Sequence, residues 1–254
     1  MKLVTWNVNS LNVRLPHVID WLKEHQPDAL CLQELKLEDT KFPLAAIEEA
    51  GYNAVFDGQK TYNGVAILSR SRPEDVSKGM VEFPDEQKRV IAATIDGVRV
   101  VCVYIPNGQS IDSDKYQYKL KWLDGLAQYM TRTIRDYGDV ALLGDYNIAP
   151  HDRDVYDPKA WEGQVLCSDA ERAAYQRILA LGMQDSFRLF DQPDKSYTWW
   201  DYRMNGFKRN LGMRIDHVLL TANLAGNCDG VNIDLMPRKL ERPSDHAPIA
   251  ATLR

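Results

Sequence analysis

Val140-Ala141-Leu142-Leu143-Gly144-Asp145-Tyr146-Asn147-Ile148-Ala149-Pro150 is an apolar run of strand length that stops at a glycine and then presents an aspartate and an asparagine. Nearer the C-terminus, Arg214-Ile215-Asp216-His217 opens the run Ile215–Leu220, and Ser244-Asp245-His246-Ala247-Pro248 precedes the run Ile249–Leu253. Upstream, Asn7 follows Leu3–Trp6 and Glu34 follows Ala29–Leu32. Each polar group falls where an apolar run starts or stops, so the carboxylates are aimed at a common rim. Carboxylates, an asparagine and a histidine on strand ends suit metal-assisted attack of water on a phosphate ester.

Further runs stand at Val65–Leu68, Val90–Ile95 and Val98–Ile105. Most are β-branched or bounded by Gly, Pro, Asp or Asn, as strands are. Amphipathic spacing predicts helices over Leu15–His25, Pro43–Ala50, Tyr116–Tyr137 and Ser168–Leu181, the last opened by a capping box of Ser168 with Glu171. Many strands with interspersed helices predict sheets covered by helices, in one domain spanning 1–254, since no linker divides the chain. Periodicity leaves open whether the sheets form a sandwich or one doubly wound sheet.

With 44% apolar residues and six Trp, the chain is not disordered. No run approaches a membrane span, and MKLVTWNVNS lacks an uninterrupted apolar stretch, so a cytoplasmic protein is expected. Cys31, Cys102, Cys167 and Cys228 form no CxxC pair and read as free thiols. A net charge of −5 argues against general adhesion to nucleic acid but not against a local basic face. Arg203, Lys208, Arg209 and Arg214 stand between Tyr197 and Ile215 against Asp201 alone, with Arg238, Lys239 and Arg242 downstream. They are candidates for a phosphate-gripping rim.

A lone Asn or Glu after a strand is commonly a turn former, and an Asp-x-Asn is a weak signal. The ordered set is strong. With TWNVNSLNVR, DALCLQELK, YNGVAILSR, KRVIAAT, VYIPNG, LLGDYNIAP, YTWWDYR, LGMRIDHVLL and ERPSDHAPI, it makes the chain resemble the exonuclease III family of abasic-site endonucleases, within the endonuclease/exonuclease/phosphatase superfamily. The resemblance spans nearly the whole length and is greatest to bacterial enzymes. It implies an α/β (α+β) fold of the DNase I-like kind, a four-layer sandwich of two packed mixed β-sheets flanked by helices.

The resemblance also implies roles. Glu34 is the principal carboxylate for Mg²⁺ (Mn²⁺ as a substitute), with Asn7 beside it through its amide oxygen or a bridging water, and Asp245 near the metal. Asp145 orients and deprotonates the attacking water. Asn147, pointing the same way if the backbone stays extended, positions that water or binds the developing oxyanion. His246 donates to the phosphate, held in one tautomer by Asp216. Tyr104 contacts the scissile phosphate, unless it is simply an aromatic at the core edge, and Arg89 and Asn107 contact the DNA backbone. Trp199, Met213 and Ile215 align with the walls of an apolar pocket for an extruded abasic sugar. Some relatives carry Trp at Met213 and Asp at Asn9, which bears on the balance of activities.

The implied partner is double-stranded DNA with abasic sites or blocked 3′ ends, bound by a monomer without membrane association. Incision 5′ to an abasic site, 3′-end trimming and 3′→5′ exonuclease action are the expected activities. A phosphoinositide or nucleotide phosphatase would share Glu34, Asp145-x-Asn147 and Ser244-Asp245-His246, but not YTWWDYR followed by LGMRID. A catalytically silent nucleic-acid-binding regulator would lack one of Glu34, Asp145, Asn147 or His246, and all four are present.

Overall fold

Alternating side chains of Val140–Leu143 go to two different places. Val140 and Leu142 pack with Trp122, Leu126 and Tyr175, whereas Ala141 and Leu143 pack with Leu3, Cys31 and Ile67. A strand buried on both faces reads as a continuous apolar run, and here one face meets helices and the other a second sheet.

The computed structural model describes residues 1–254. Its first part holds β1 (Lys2–Asn7), α1 (Leu11–His25), β2 (Ala29–Gln33), α2 (Leu44–Glu49), β3 (Asn53–Asp57), β4 (Val65–Ser69), β5 (Glu74–Lys78), β6 (Val90–Ile95) and β7 (Val98–Tyr104). There follow α3 (Asp114–Tyr137), β8 (Val140–Asp145), α4 (Asp169–Leu179), β9 (Met183–Asp185), β10 (Trp199–Trp200) and β11 (Gly212–Met213). The chain closes with β12 (Asp216–Thr221), α5 (Ala222–Gly226), β13 (Cys228–Ile233) and β14 (Ile249–Leu253).

Two six-stranded sheets result, ordered β13-β14-β1-β2-β4-β3 and β5-β6-β7-β8-β12-β9, with β10 and β11 as a separate ribbon. Both are mixed, since β1 with β2 and β7 with β8 run parallel while their other pairs are antiparallel. The outer face of the first sheet packs on α1 and α2 through Val4, Leu22, Leu30 and Ile47. That of the second packs on α3 and α4 through Val101, Leu126, Leu142 and Ile178. The inner faces share one apolar layer, giving the four-layer sandwich.

The apolar runs read from sequence are the eight interior strands of these sheets. The four edge strands β3, β5, β9 and β13 are the ones the pattern missed. Edge strands are half-solvated, and β5, with Glu74-Asp75-Val76-Ser77-Lys78 almost wholly exposed, carries no apolar signature. Helix α1 begins at Leu11, four residues before the predicted start. Pro16 sits inside it, and both Pro16 and Asn12, whose carbonyl loses its donor, face solvent. The Ser168–Glu171 capping box opens α4 as predicted.

Candidate active site

Strand register builds the first row of the site. Tyr104 of β7 and Asp216 of β12 both pair with Asp145 of β8, so the three side chains stand abreast on one face. That face is the inter-sheet one, where Leu143, Cys102 and Val218 lie two residues deeper. Asn7, at the end of β1, continues the inner positions Leu3 and Thr5 of the first sheet. The polar groups are thus the last positions of the inter-sheet layer, at its open rim. Gly144 permits the close approach of β7 and β8: a Cβ there would lie 1.9 Å from the Val103 carbonyl oxygen.

His246 closes the row. Its Nδ1 lies 2.9 Å from Asp216 Oδ2, and its Nε2 is 3.7 Å from Asp145 Oδ2. Burial by itself would lower the imidazole pKa, but the Asp216 and Asp145 carboxylates override it and push it up, so His246 is cationic at neutral pH. Asp145 is pushed up by burial and by the charges of Asp216 and Glu34, against the opposing pull of His246 and the Asn7 amide. Tyr104 is pushed well up, chiefly by burial and then by Glu34 and Asp145, so its phenol keeps its proton. Alternation sends the neighbouring His217 to the helical side, where Nε2 meets the Ile148 carbonyl at 2.9 Å.

From the first sheet, Asn7 Nδ2 donates to Glu34 Oε1 and to Asp145 Oδ2, both at 2.9 Å, while its oxygen accepts the Asn9 N–H. Asn7 therefore ties the two carboxylates together as a donor; its amide oxygen does not face them. Lys36 Nζ stands 2.9 Å from Glu34 Oε2 and 2.6 Å from Asn9 Oδ1. Glu34, Asp145 and His246 each present a ligand-type atom within 4.8 Å of the others. The two carboxylates suit a divalent cation, whereas a protonated imidazole is no ligand. Asp245 stands apart from this group, its oxygens taken by Asn9 Nδ2 at 2.9 Å and Trp199 Nε1 at 3.0 Å.

The backbone does not stay extended to Asn147. The residue is left-handed (φ 50°), its N–H donates to Asp145 Oδ1, and its Nδ2 donates to the Ile105 carbonyl at 2.9 Å. Asn107 Nδ2 reaches Asn147 Oδ1 at 3.1 Å, so these two are held side by side. Arg89 stacks on the Tyr104 ring, 4.8 Å from its centroid, and donates to the Tyr104 carbonyl at 3.0 Å. Asn9, Lys36 and Lys119, which donates to the Asn147 carbonyl, were not picked out as site residues from sequence. The available signals are the departure from relatives at Asn9 and a lysine on the apolar stripe of α3.

The basic rim needs correction. Lys208, Arg209, Lys239 and Arg242 are exposed, but Arg214 is fully buried, clamped by Asp154 and Asp185 at 2.7 Å each. Arg238 is also buried, packed against Trp200, Tyr202 and Phe207 and bonded to the Ser244 carbonyl. Arg203 is exposed but paired with Asp201 at 2.8 Å. Met213 and Ile215 are covered by Ala149, Val155, Leu166 and Cys167, leaving Trp199 the accessible member of its trio. Antiparallel pairing sets Trp199 against Met213, and an isolated bridge joins Trp199 to His246.

Two helix-flanked mixed sheets with carboxylates and a histidine on their shared rim define a DNase I-like hydrolase scaffold. The chain belongs to the endonuclease/exonuclease/phosphatase family, whose model matches residues 4–246, and to its exonuclease III branch. It is 37% identical over 268 residues to exodeoxyribonuclease III of Haemophilus influenzae, with 100% of both chains covered. A 3′ phosphatase from Neisseria, NExo, bound to a product DNA hairpin, superposes with a TM-score of 0.99 at 50% identity, covering 100% of this chain and 99% of that one. An AP endonuclease from Archaeoglobus fulgidus gives 0.96 at 44% identity, with the same coverage.

Proposed function

We propose that this protein is a Mg²⁺-dependent DNA-repair phosphodiesterase that incises the backbone 5′ to an abasic site, leaving a 3′-hydroxyl, and trims blocked 3′ ends. The observation that carries this is the row Tyr104–Asp145–Asp216 closed by His246, facing Glu34 and Asn7 across the sheet interface. Glu34 would hold the metal, which when bound would supply charge to a substrate phosphate oxygen. Asp145, its basicity raised by burial, takes the proton of the attacking water. Water oxygen bonds to phosphorus as the P–O3′ bond breaks, its electron pair leaving on O3′, which takes a proton from solvent to give the 3′-hydroxyl. The His246 cation, kept charged by Asp216, and the protonated Tyr104 phenol donate to the phosphoryl oxygens as they gain charge. Asn147 and Asn107 bound the other side of the phosphate, and Arg89, Lys208 and Arg209 meet the flanking backbone.

The likeness to a Neisseria 3′ phosphatase favours a second activity at the same rim, removal of a 3′-phosphate from a DNA end. Four free cysteines suit action in the reducing cytoplasm. Incubating a duplex with one stable abasic analogue, and another ending in a 3′-phosphate, with Mg²⁺ or with chelator, tests the reading by end-mapping. Metal-dependent 3′-hydroxyl ends beside the analogue support incision. Loss of 3′-phosphate alone would leave only the second activity, and no product on either DNA would refute both.

A further inference from the structure

Helix α3 carries a lysine on its apolar stripe: Tyr116, Lys119, Leu123, Leu126 and Met130 share one buried face. Lys119 is completely buried, and an unpartnered ammonium there would be costly. Its three N–H groups meet three acceptors: the Asn147 carbonyl at 2.6 Å, the Asn107 carbonyl at 3.1 Å and the Glu171 carboxylate. Glu171 is itself fixed, accepting from the Leu166 N–H at 3.0 Å, the Ser168 N–H at 3.1 Å and the Ser168 hydroxyl at 2.6 Å. The capping box of α4 thus anchors a cation whose other two bonds go to the turns after β7 and β8.

Those turns hold Asn107 and Asn147, whose side chains touch each other beside Asp145. Asn147 occupies a left-handed conformation, which the surroundings must hold in place. On the reading of the site given above, we propose that Lys119 is a positioning residue for phosphodiester hydrolysis. Its ammonium locks the Asn107 and Asn147 turns against each other and so keeps Asn147 and Asp145 in their reacting geometry. It touches no substrate and acts through two backbone carbonyls.

A merely stabilising ion pair would have a different signature. Lys119→Met with Glu171→Gln removes both charges at once, avoiding a stranded buried ion, while the two carbonyls lose their donor. Cleavage of the abasic duplex under single-turnover conditions at saturating enzyme is read beside DNA affinity and the urea unfolding midpoint. The pair is expected to unfold near the wild-type midpoint and to bind DNA within about threefold of wild type, yet to cleave about tenfold or more slowly, since small misplacements carry large rate costs. A folded pair cleaving within about threefold of wild type overturns the proposal. If that pair does not fold, Lys119→Gln with Glu171→Gln, whose shorter amide has two N–H groups for three acceptors and cannot bridge both carbonyls, is held to the same rate and affinity criteria. The wild type with and without Mg²⁺ keeps the two readings apart. A silent wild type overturns the phosphodiesterase reading and the clamp with it, whereas an active wild type beside an equally active pair overturns the clamp alone.

Discussion

His217 offers a quantitative test of the core beneath the site. It is completely buried, with Arg214 Nη1 2.9 Å from Nδ1 and the Ile148 carbonyl 2.9 Å from Nε2. The guanidinium can only donate, so Nδ1 accepts and Nε2 carries the proton: the ring is neutral. Burial, reinforced by the Arg214 charge, depresses its pKa to about 4 from 6.5. The unfolded chain therefore takes up a proton at His217 as pH falls through 6.5, while the folded protein does so only near 4. The stabilisation is complete above the unfolded value and is lost as pH falls through this window. With these two values, His217 costs the wild type about 2 kcal/mol between pH 7 and pH 5. His217→Gln retains an N–H for Ile148 but does not titrate. Urea unfolding of both proteins from pH 8 to pH 5 should show the wild-type advantage over the variant shrinking by about that amount. A difference constant to within about 0.5 kcal/mol would show that His217 is not held neutral.

Glu34→Gln is expected to raise the Mg²⁺ concentration needed for half-maximal incision while leaving the unfolding midpoint close to wild type; normal incision at limiting Mg²⁺ would remove Glu34 from the metal site. Asp145→Asn and His246→Asn should each slow single-turnover cleavage about a hundredfold or more with little change in DNA affinity, because the proposed mechanism has both act on charge in the transition state. Rates within about threefold of wild type would sink those roles. Lys208→Ala with Arg209→Ala should weaken abasic and intact duplexes alike and flatten the salt dependence by about one log-log unit per lost phosphate contact. An unchanged slope would place the rim elsewhere. Trp199→Ala should instead erode preference for the abasic duplex with the slope nearly unchanged, and a retained preference would refute its place in the pocket.

What the sequence revealed of the fold followed burial. Strands covered on both faces, such as β8, advertise themselves as apolar runs, whereas edge strands such as β5 look like loops because solvent takes one side. The rim was legible for a related reason. Asp145 and Asn7 end, and Asp216 begins, strands whose inner-face residues are apolar or packed between the sheets, and alternation sends Asp216 and His217 to opposite sides. The turn at Asn147 was not legible, since a left-handed residue after a strand leaves no mark beyond the asparagine itself. Lys119 was hidden by reading charge as surface, although its stripe position argued for burial.

Two of the basic residues near the site, Arg214 and Arg238, are likewise buried and partnered, which bears on DNA binding. Charges counted in sequence windows are paired across the chain: Asp154, buried, lies under Arg214, sixty residues away. Arg214 is spent holding β12's entry against β9, and Arg238 is spent fixing the Ser244 carbonyl, two residues before His246. Neither can contribute to a phosphate grip. The exposed cations that remain, Lys208, Arg209, Lys239 and Arg242, are few and lie on the segments that also carry Trp199 and His246. In a chain of net charge −5 a small local field of this kind would set where a polyanion approaches. On the proposed function, orientation on DNA would come from that local field, and selection of the damaged nucleotide from the fit at Trp199.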